Sequence, residues 1–162
     1  MAKSIATNVR MLGLGNRILA DDAFGIYAAR AVEERLGDAI HVMISPESGV
    51  NLVETLMGTS PLLIVDTIQT GTAPPGTMHV FEEEQCRWTP GESLHRMGAF
   101  EVLAFARKLG LPVPDRVTVI AVEAADCSTV GGAMHPDVRA AIPRVVDWVN
   151  DFLRARGEAD AA

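Results

Sequence analysis

The sequence predicts an α/β domain: a doubly wound, mostly parallel five-stranded sheet with helices on both faces, three layers in all. Two observations carry that prediction. Short apolar runs alternate with amphipathic stretches along the chain, the pattern of strands that are each followed by a covering helix. One of the runs, Leu62, Leu63, Ile64 and Val65, is uniformly apolar and so needs cover on both of its faces, as a central parallel strand does. The length of 162 residues fits one domain, 1–162, with a core over about 9–153 and frayed ends at 1–8 and 156–162.

Residues 9–14 read as the first strand. Residues 24–36 read as a helix, because Phe24, Tyr27, Ala28, Ala31 and Val32 fall on one face at i, i+3, i+4 spacing. A second strand follows at 40–44, a short helix at 50–57 and the third, central strand at 62–65, which Asp66 is expected to end. Two glycines and two prolines make 67–76 a loop, and 77–81 resumes β-type composition as a fourth strand. Residues 82–91 lack periodicity and contain three consecutive glutamates. They read as a long surface loop, expected to be among the more mobile segments because Trp88 is almost its sole apolar anchor.

Ser93 is placed to cap a helix over 94–109, which Gly110 and Pro112 close. The β-branched run 117–122 is the fifth strand. The last helix starts at Pro136 and carries the stripe Val138, Ala141, Ile142, Val145, Val146, Val149 and Phe152. Pro143 is expected to kink it or split off its first turn.

Composition narrows the function. Hydrophobic residues make up 48% and charged residues 22% of the chain, so it folds rather than staying disordered. A net charge of −7, from 14 basic and 21 acidic residues, gives no footprint for nucleic acid or an anionic membrane surface. Two cysteines, Cys86 and Cys127, are too few for a disulfide framework and lack zinc-ribbon or redox spacing, which points to a reducing, cytoplasmic setting. Residues 1–9 carry no apolar run of signal-peptide length, and no stretch approaches the ~20 apolar residues of a membrane span.

The loop Gly13-Leu14-Gly15-Asn16-Arg17-Ile18, running on to Asp21-Asp22-Ala23-Phe24-Gly25, lies between a strand and a helix. That is where a nucleotide-binding fold puts its phosphate loop. Ile18 stands where a third glycine belongs, however, and an aspartate pair would repel a pyrophosphate. The carboxylates suit a cation instead, although Asp is also a preferred helix cap.

Asp66 follows the most buried strand. In a sheet of order 2-1-3 that end borders the first loop, at the crevice where such folds bind ligands. As a lone residue it equally suits a turn. His95, in the first turn of the third long helix, meets the positive end of the helix dipole, which favours neutral imidazole. A carboxylate of the Asp21-Asp22 pair, Asp66 and His95 would make a three-ligand set with open positions for nickel, zinc or manganese, although a lone histidine on such a helix equally suits a surface or packing role. His41 and His79 lack carboxylate neighbours in sequence and read as structural, and His135, just before Pro136, reads as a helix-entry residue. Neither cysteine has a basic neighbourhood, no Gly-x-Ser-x-Gly elbow is present, and nucleophilic Ser or Cys catalysis finds no support.

Taken together, Gly13-Leu14-Gly15-Asn16, Asp21-Asp22-Ala23-Phe24-Gly25, Leu62 to Asp66, Pro75-Gly76-Thr77 and Ser93-Leu94-His95 resemble the nickel-iron hydrogenase maturation endopeptidases. The likeness extends to Phe100-Glu101-Val102-Leu103, Gly131-Gly132 and Ala141-Ile142-Pro143, so it spans about 9–153. It implies a cytoplasmic, single-domain, aspartic-type protease, acting as a monomer. Its partner would be the precursor of the hydrogenase large subunit, from which it removes a C-terminal extension after nickel insertion. The resemblance implies Asp22, Asp66 and His95 as metal-binding residues, with Asp22 and Asp66 also catalytic. Nickel would then be carried by the substrate as a check on its readiness rather than held as a permanent cofactor. A non-cutting chaperone that recognises a nickel-loaded partner is the alternative. One departure concerns the cleft: the family often has Gly-Gly after the second strand, and this chain has Ser45-Pro46-Glu47-Ser48-Gly49. A smaller one is Ala124, where the family commonly has proline.

Overall fold

The computed structural model describes residues 8–46, 49–85 and 94–160, with backbone alone at 49, 50 and 94–98. Five strands, β1 (Arg10–Leu14), β2 (His41–Ser45), β3 (Leu62–Ile68), β4 (Met78–Glu82) and β5 (Val117–Glu123), form one sheet in the order β2-β1-β3-β5-β4. All neighbours are parallel except β4, which runs antiparallel to β5 along the edge. β3 occupies the centre, as its unbroken apolar run requires.

Among the described residues, five α-helices cover the sheet: α1 (Phe24–Leu36), α2 (Val53–Leu56), α3 (Leu94–Lys108), α4 (Pro136–Arg139) and α5 (Ile142–Asp160). Because strand side chains alternate, each strand feeds two cores. Met11, Leu63, Val65, Ile120 and Val122 pack with α1, α4 and α5 on one face. Leu12, Leu14, Leu62, Ile64, Val117, Val119 and Ala121 pack with α2 and α3 on the other. The two faces give the three-layer arrangement.

Several boundaries differ from the sequence reading for physical reasons. β3 does not stop at Asp66: Thr67 and Ile68 continue to pair, opposite Val122 and Glu123, because β5 extends equally far. Ala124 adds one further bond, its N–H donating to Ile68 O at 2.8 Å, which a proline at this position would lack. The chain from 156 to 160 is helical rather than frayed, since α5 continues its buried stripe through Leu153 and Gly157 and Arg156 lies over the Phe152 ring.

Pro143 falls in the first turn of α5, with α4 a separate turn before it. The predicted loop at 82–91 begins as structure: Glu82 closes β4 and Glu83–Gln85 form a 3-10 turn. Glu82 meets Arg116 and Glu83 meets Arg107 in exposed ion pairs. The rest of that loop, 86–91, lies outside the described residues, as do Ser93 and, at the second-strand departure, Glu47 and Ser48. Ser45 is buried and Pro46 exposed.

At the amino end of the sheet the guanidinium of Arg10 donates to the carbonyls of Thr55, Leu56, Met57 and Gly58, satisfying the open end of α2. No helix among the described residues is long and apolar enough to cross a membrane.

Candidate functional site at the carboxyl end of the sheet

The chain leaves β1 through Gly15, whose φ of +153° suits glycine. A Cβ at Gly15 would lie 2.0 Å from the carbonyl oxygen of Asp22. The amide of Asn16 donates to that same oxygen at 3.1 Å. The Gly-x-Gly sequence therefore lets the loop fold back onto residue 22. Three residues on, Gly25 seats the start of α1 on the ends of β1 and β3: its Cβ would meet Leu14 O at 2.0 Å and Val65 O at 2.6 Å. Asp22 is thereby delivered next to the strand end that carries Asp66.

Both carboxylates are buried, Asp22 3% and Asp66 1% exposed. Asp66 lies on the strand face of Leu62 and Ile64, and its Oδ1 accepts from the Thr67 amide at 2.7 Å. Cys127 lies next to Thr67, with Sγ 3.6 Å from Thr67 Oγ1. Burial pushes the Cys127 thiol up to about 12; the Thr67 contact opposes this, while the charges of Asp22, Asp21 and Asp66 reinforce it. A thiol that feels three carboxylates reports a negative potential, which invites a cation and repels a phosphate.

Cys127 accordingly stays protonated. Its thiolate fraction at pH 8 is about a thousandfold below that of an ordinary cysteine, which predicts iodoacetamide labelling slower by about two to three orders of magnitude. Peptide-resolved mass spectrometry checks this, and labelling at the rate of a free thiol contradicts it. Because the folded thiol holds its proton more tightly than the unfolded one, its contribution to stability is complete below the ordinary thiol pKa. That contribution is lost as pH rises from there towards about 12.

Asp21 does not cap a helix, contrary to the simplest reading of an Asp pair. The 3-10 turn Ala20–Ala23 starts at Leu19 without a side-chain cap, and α1 at Ala23 likewise. Asp21 Oδ2 instead accepts from the amides of Ala125 at 2.8 Å and Asp126 at 2.9 Å, and Oδ1 from the amide of His135. Asp126 accepts from the Ser128 amide and hydroxyl and the Thr129 amide, and the Thr129 side chain foremost, with these donors, holds its carboxyl well below the usual range.

His135 is the helix-entry residue the sequence suggested, its Nδ1 accepting from the Asp137 amide at the head of α4. His41 is exposed on β2. His79 does gain a carboxylate, since the antiparallel pairing of β4 brings Glu123 Oε2 to 3.7 Å. Glu123, 1% exposed, also accepts from Thr70 N and Oγ1 and Gly71 N, fixing the loop after β3.

The first turn of α3 holds His95. That helix lies on the Asp66 face and runs towards Gly58 and Pro112 at the amino end of the sheet, so its start lies at the carboxyl end. The His95 side chain is outside the described residues. Among the described residues no three His, Cys, Asp or Glu side chains are grouped as a metal site.

A family model described as hydrogenase maturation protease matches residues 26–151. The chain belongs to the hydrogenase maturation protease family. Among its relatives, the hydrogenase expression/formation protein HupD of Rhizobium leguminosarum bv. viciae is 32% identical, over 97% of this chain and 79% of that protein. The hydrogenase 2 maturation protease of Escherichia coli K12 is 29% identical, over 92% of both chains. The solved structure of the hydrogenase maturating endopeptidase HybD from E. coli superposes with a TM-score of 0.76 at 27% identity, covering 92% of this chain and 93% of that one. Family membership accounts for the five-stranded, mostly parallel sheet.

Proposed function

We propose that this protein is the endopeptidase that removes the C-terminal extension of a nickel-iron hydrogenase large-subunit precursor once nickel has been inserted. Asp22, Asp66 and His95 recognise the nickel that the precursor carries. The observation that supports this reading is the convergence of two buried carboxylates, Asp22 and Asp66, at the carboxyl end of the central strands. Their charges, with that of Asp21, act on one neighbouring thiol.

A pair of hard oxygen donors completed by an imidazole fits a divalent nickel centre. Presented with the precursor, the metal positions the scissile peptide, and positioning alone supplies a large share of a hydrolytic rate. A carboxylate beside a cation suits ligand or base duty rather than acid duty. Asp22 and Asp66 therefore serve as ligand or general base, taking a proton from the attacking water while the peptide nitrogen leaves with a proton. The protein acts in the cytoplasm as a monomer.

The test is incubation with nickel-loaded precursor followed by mass measurement. The expected result is loss of the C-terminal segment; an unchanged mass supports a non-cutting chaperone instead. In the same assay His95→Ala abolishes cleavage with the fold intact, whereas replacing His41 or His79 leaves it unaffected. Cleavage at the normal rate by His95→Ala contradicts metal reading by that side chain.

A further inference from the structure

We infer that Asp21 is a positioning residue for this reaction, acting through its neighbour Asp22 and through the loop from Ala125 to His135. The inference rests on the proposed endopeptidase activity. Asp21 is 1% exposed, and its carboxylate accepts the Ala125 and Asp126 amides at one oxygen and the His135 amide at the other. The donors lie 104, 105 and 114 residues away in sequence. One carboxylate thus holds both ends of the loop that carries Cys127. The backbone adds to the same clamp, with Asp21 N donating to Asp126 O at 2.8 Å and Ala20 N to Thr129 O at 3.2 Å. Leu19 and Val130 form a single antiparallel bridge between the same two segments.

The clamp bears directly on Asp22. Its backbone is gripped on one side by Asn16 N and the close approach of Gly15. On the other side it is gripped through Asp21. Between these two holds, the direction of the Asp22 side chain relative to Asp66 is fixed. A buried carboxylate is an expensive way to staple a loop, because desolvation of its charge consumes most of what three amides return. Three ionic hydrogen bonds are short and directional, though, and rigidity at this position is what a reaction between oriented groups needs.

The experiment measures kcat and KM for cleavage of nickel-loaded precursor by wild type, Asp21→Asn, His135→Pro and His135→Ala. Amide exchange at 125, 126 and 135 is followed in the free proteins. Asparagine cannot accept amides at both ends, because its NH2 would face a donor. His135 has φ −56° and ψ 136°, which proline adopts, so His135→Pro deletes the amide given to Asp21 while His135→Ala keeps it.

The expected result is faster exchange at the remaining clamp amides in Asp21→Asn and His135→Pro, with kcat down about 10- to 100-fold and KM within about twofold. His135→Ala should keep the wild-type kcat. Should Asp21→Asn fail to fold, the proline and alanine pair decides. If kcat is retained by Asp21→Asn or His135→Pro although the amides exchange faster, or if the loss lies wholly in KM, Asp21 is only a structural staple and the inference is overturned. Absence of cleavage by wild type itself would instead overturn the endopeptidase reading, and the positioning role with it.

Discussion

Gly25→Ala is expected to lower the melting temperature by about 10 °C, corresponding to a loss of about 3 kcal/mol in a domain of this size. Helix propensity alone predicts the opposite sign. Gly25 is the second residue of α1, and alanine is favoured over glycine in a helix by about 1 kcal/mol. Sterics decide the outcome. The added methyl would lie 2.0 Å from Leu14 O and 2.6 Å from Val65 O, both backbone atoms of buried strands that cannot rotate away as a side chain would.

Relief requires α1 to lift from β1 and β3, opening the apolar packing of Phe24, Ala28 and Ala29 against Met11 and Val65. Gly110→Ala provides the contrast. Gly110 has φ +69° but open space around its Cβ position, so only backbone strain of about 1 kcal/mol is at stake. Thermal unfolding of the two variants checks the ordering, and equal losses would mean that the contact at Gly25 is not tight. Lifting α1 also separates Asp22 from Asp66, so Gly25→Ala should lose cleavage at temperatures where it is still folded.

How much of this was legible in the sequence depends on the kind of signal. Apolar periodicity reports burial, and it placed α1 at its observed limits and Leu62 to Val65 at the sheet centre. An acidic residue after such a run reads as a terminator, so the continuation of β3 through Asp66 was hidden. It depends on how far β5 extends beside it, which is a tertiary fact. The same limit hid Asp21 and Glu123. Each accepts backbone amides from distant segments, and an amide donor has no residue type by which to recognise it. The terminal helix was cut short because Arg156, Glu158 and Asp160 look like tail residues. Yet Arg156 covers the Phe152 ring while Leu153 and Gly157 are buried. The purpose of the Gly-x-Gly loop, the approach of residue 22, is set by atoms seven residues further on.

Asp66→Asn is expected to abolish cleavage, by about a thousandfold or more, while leaving the melting temperature unchanged or slightly raised. The stability half follows from burial. Asn has the shape of Asp, and its side-chain oxygen can still accept the Thr67 amide now bound at 2.7 Å. A neutral amide sheds the desolvation cost of a carboxylate that is 1% exposed. A charge kept at a net cost to stability is the usual mark of a site selected for chemistry rather than for folding.

The activity half follows from what the amide lacks. It takes up no proton from water and holds a divalent cation far less strongly than a carboxylate does, so both roles proposed for Asp66 vanish together. The decisive measurement is the pair of values on one preparation: rate of precursor cleavage and melting temperature. A variant that still cleaves shows that the Asp66 charge is dispensable. A variant that melts well below wild type places the carboxylate in the folding energetics of β3 instead of in the reaction.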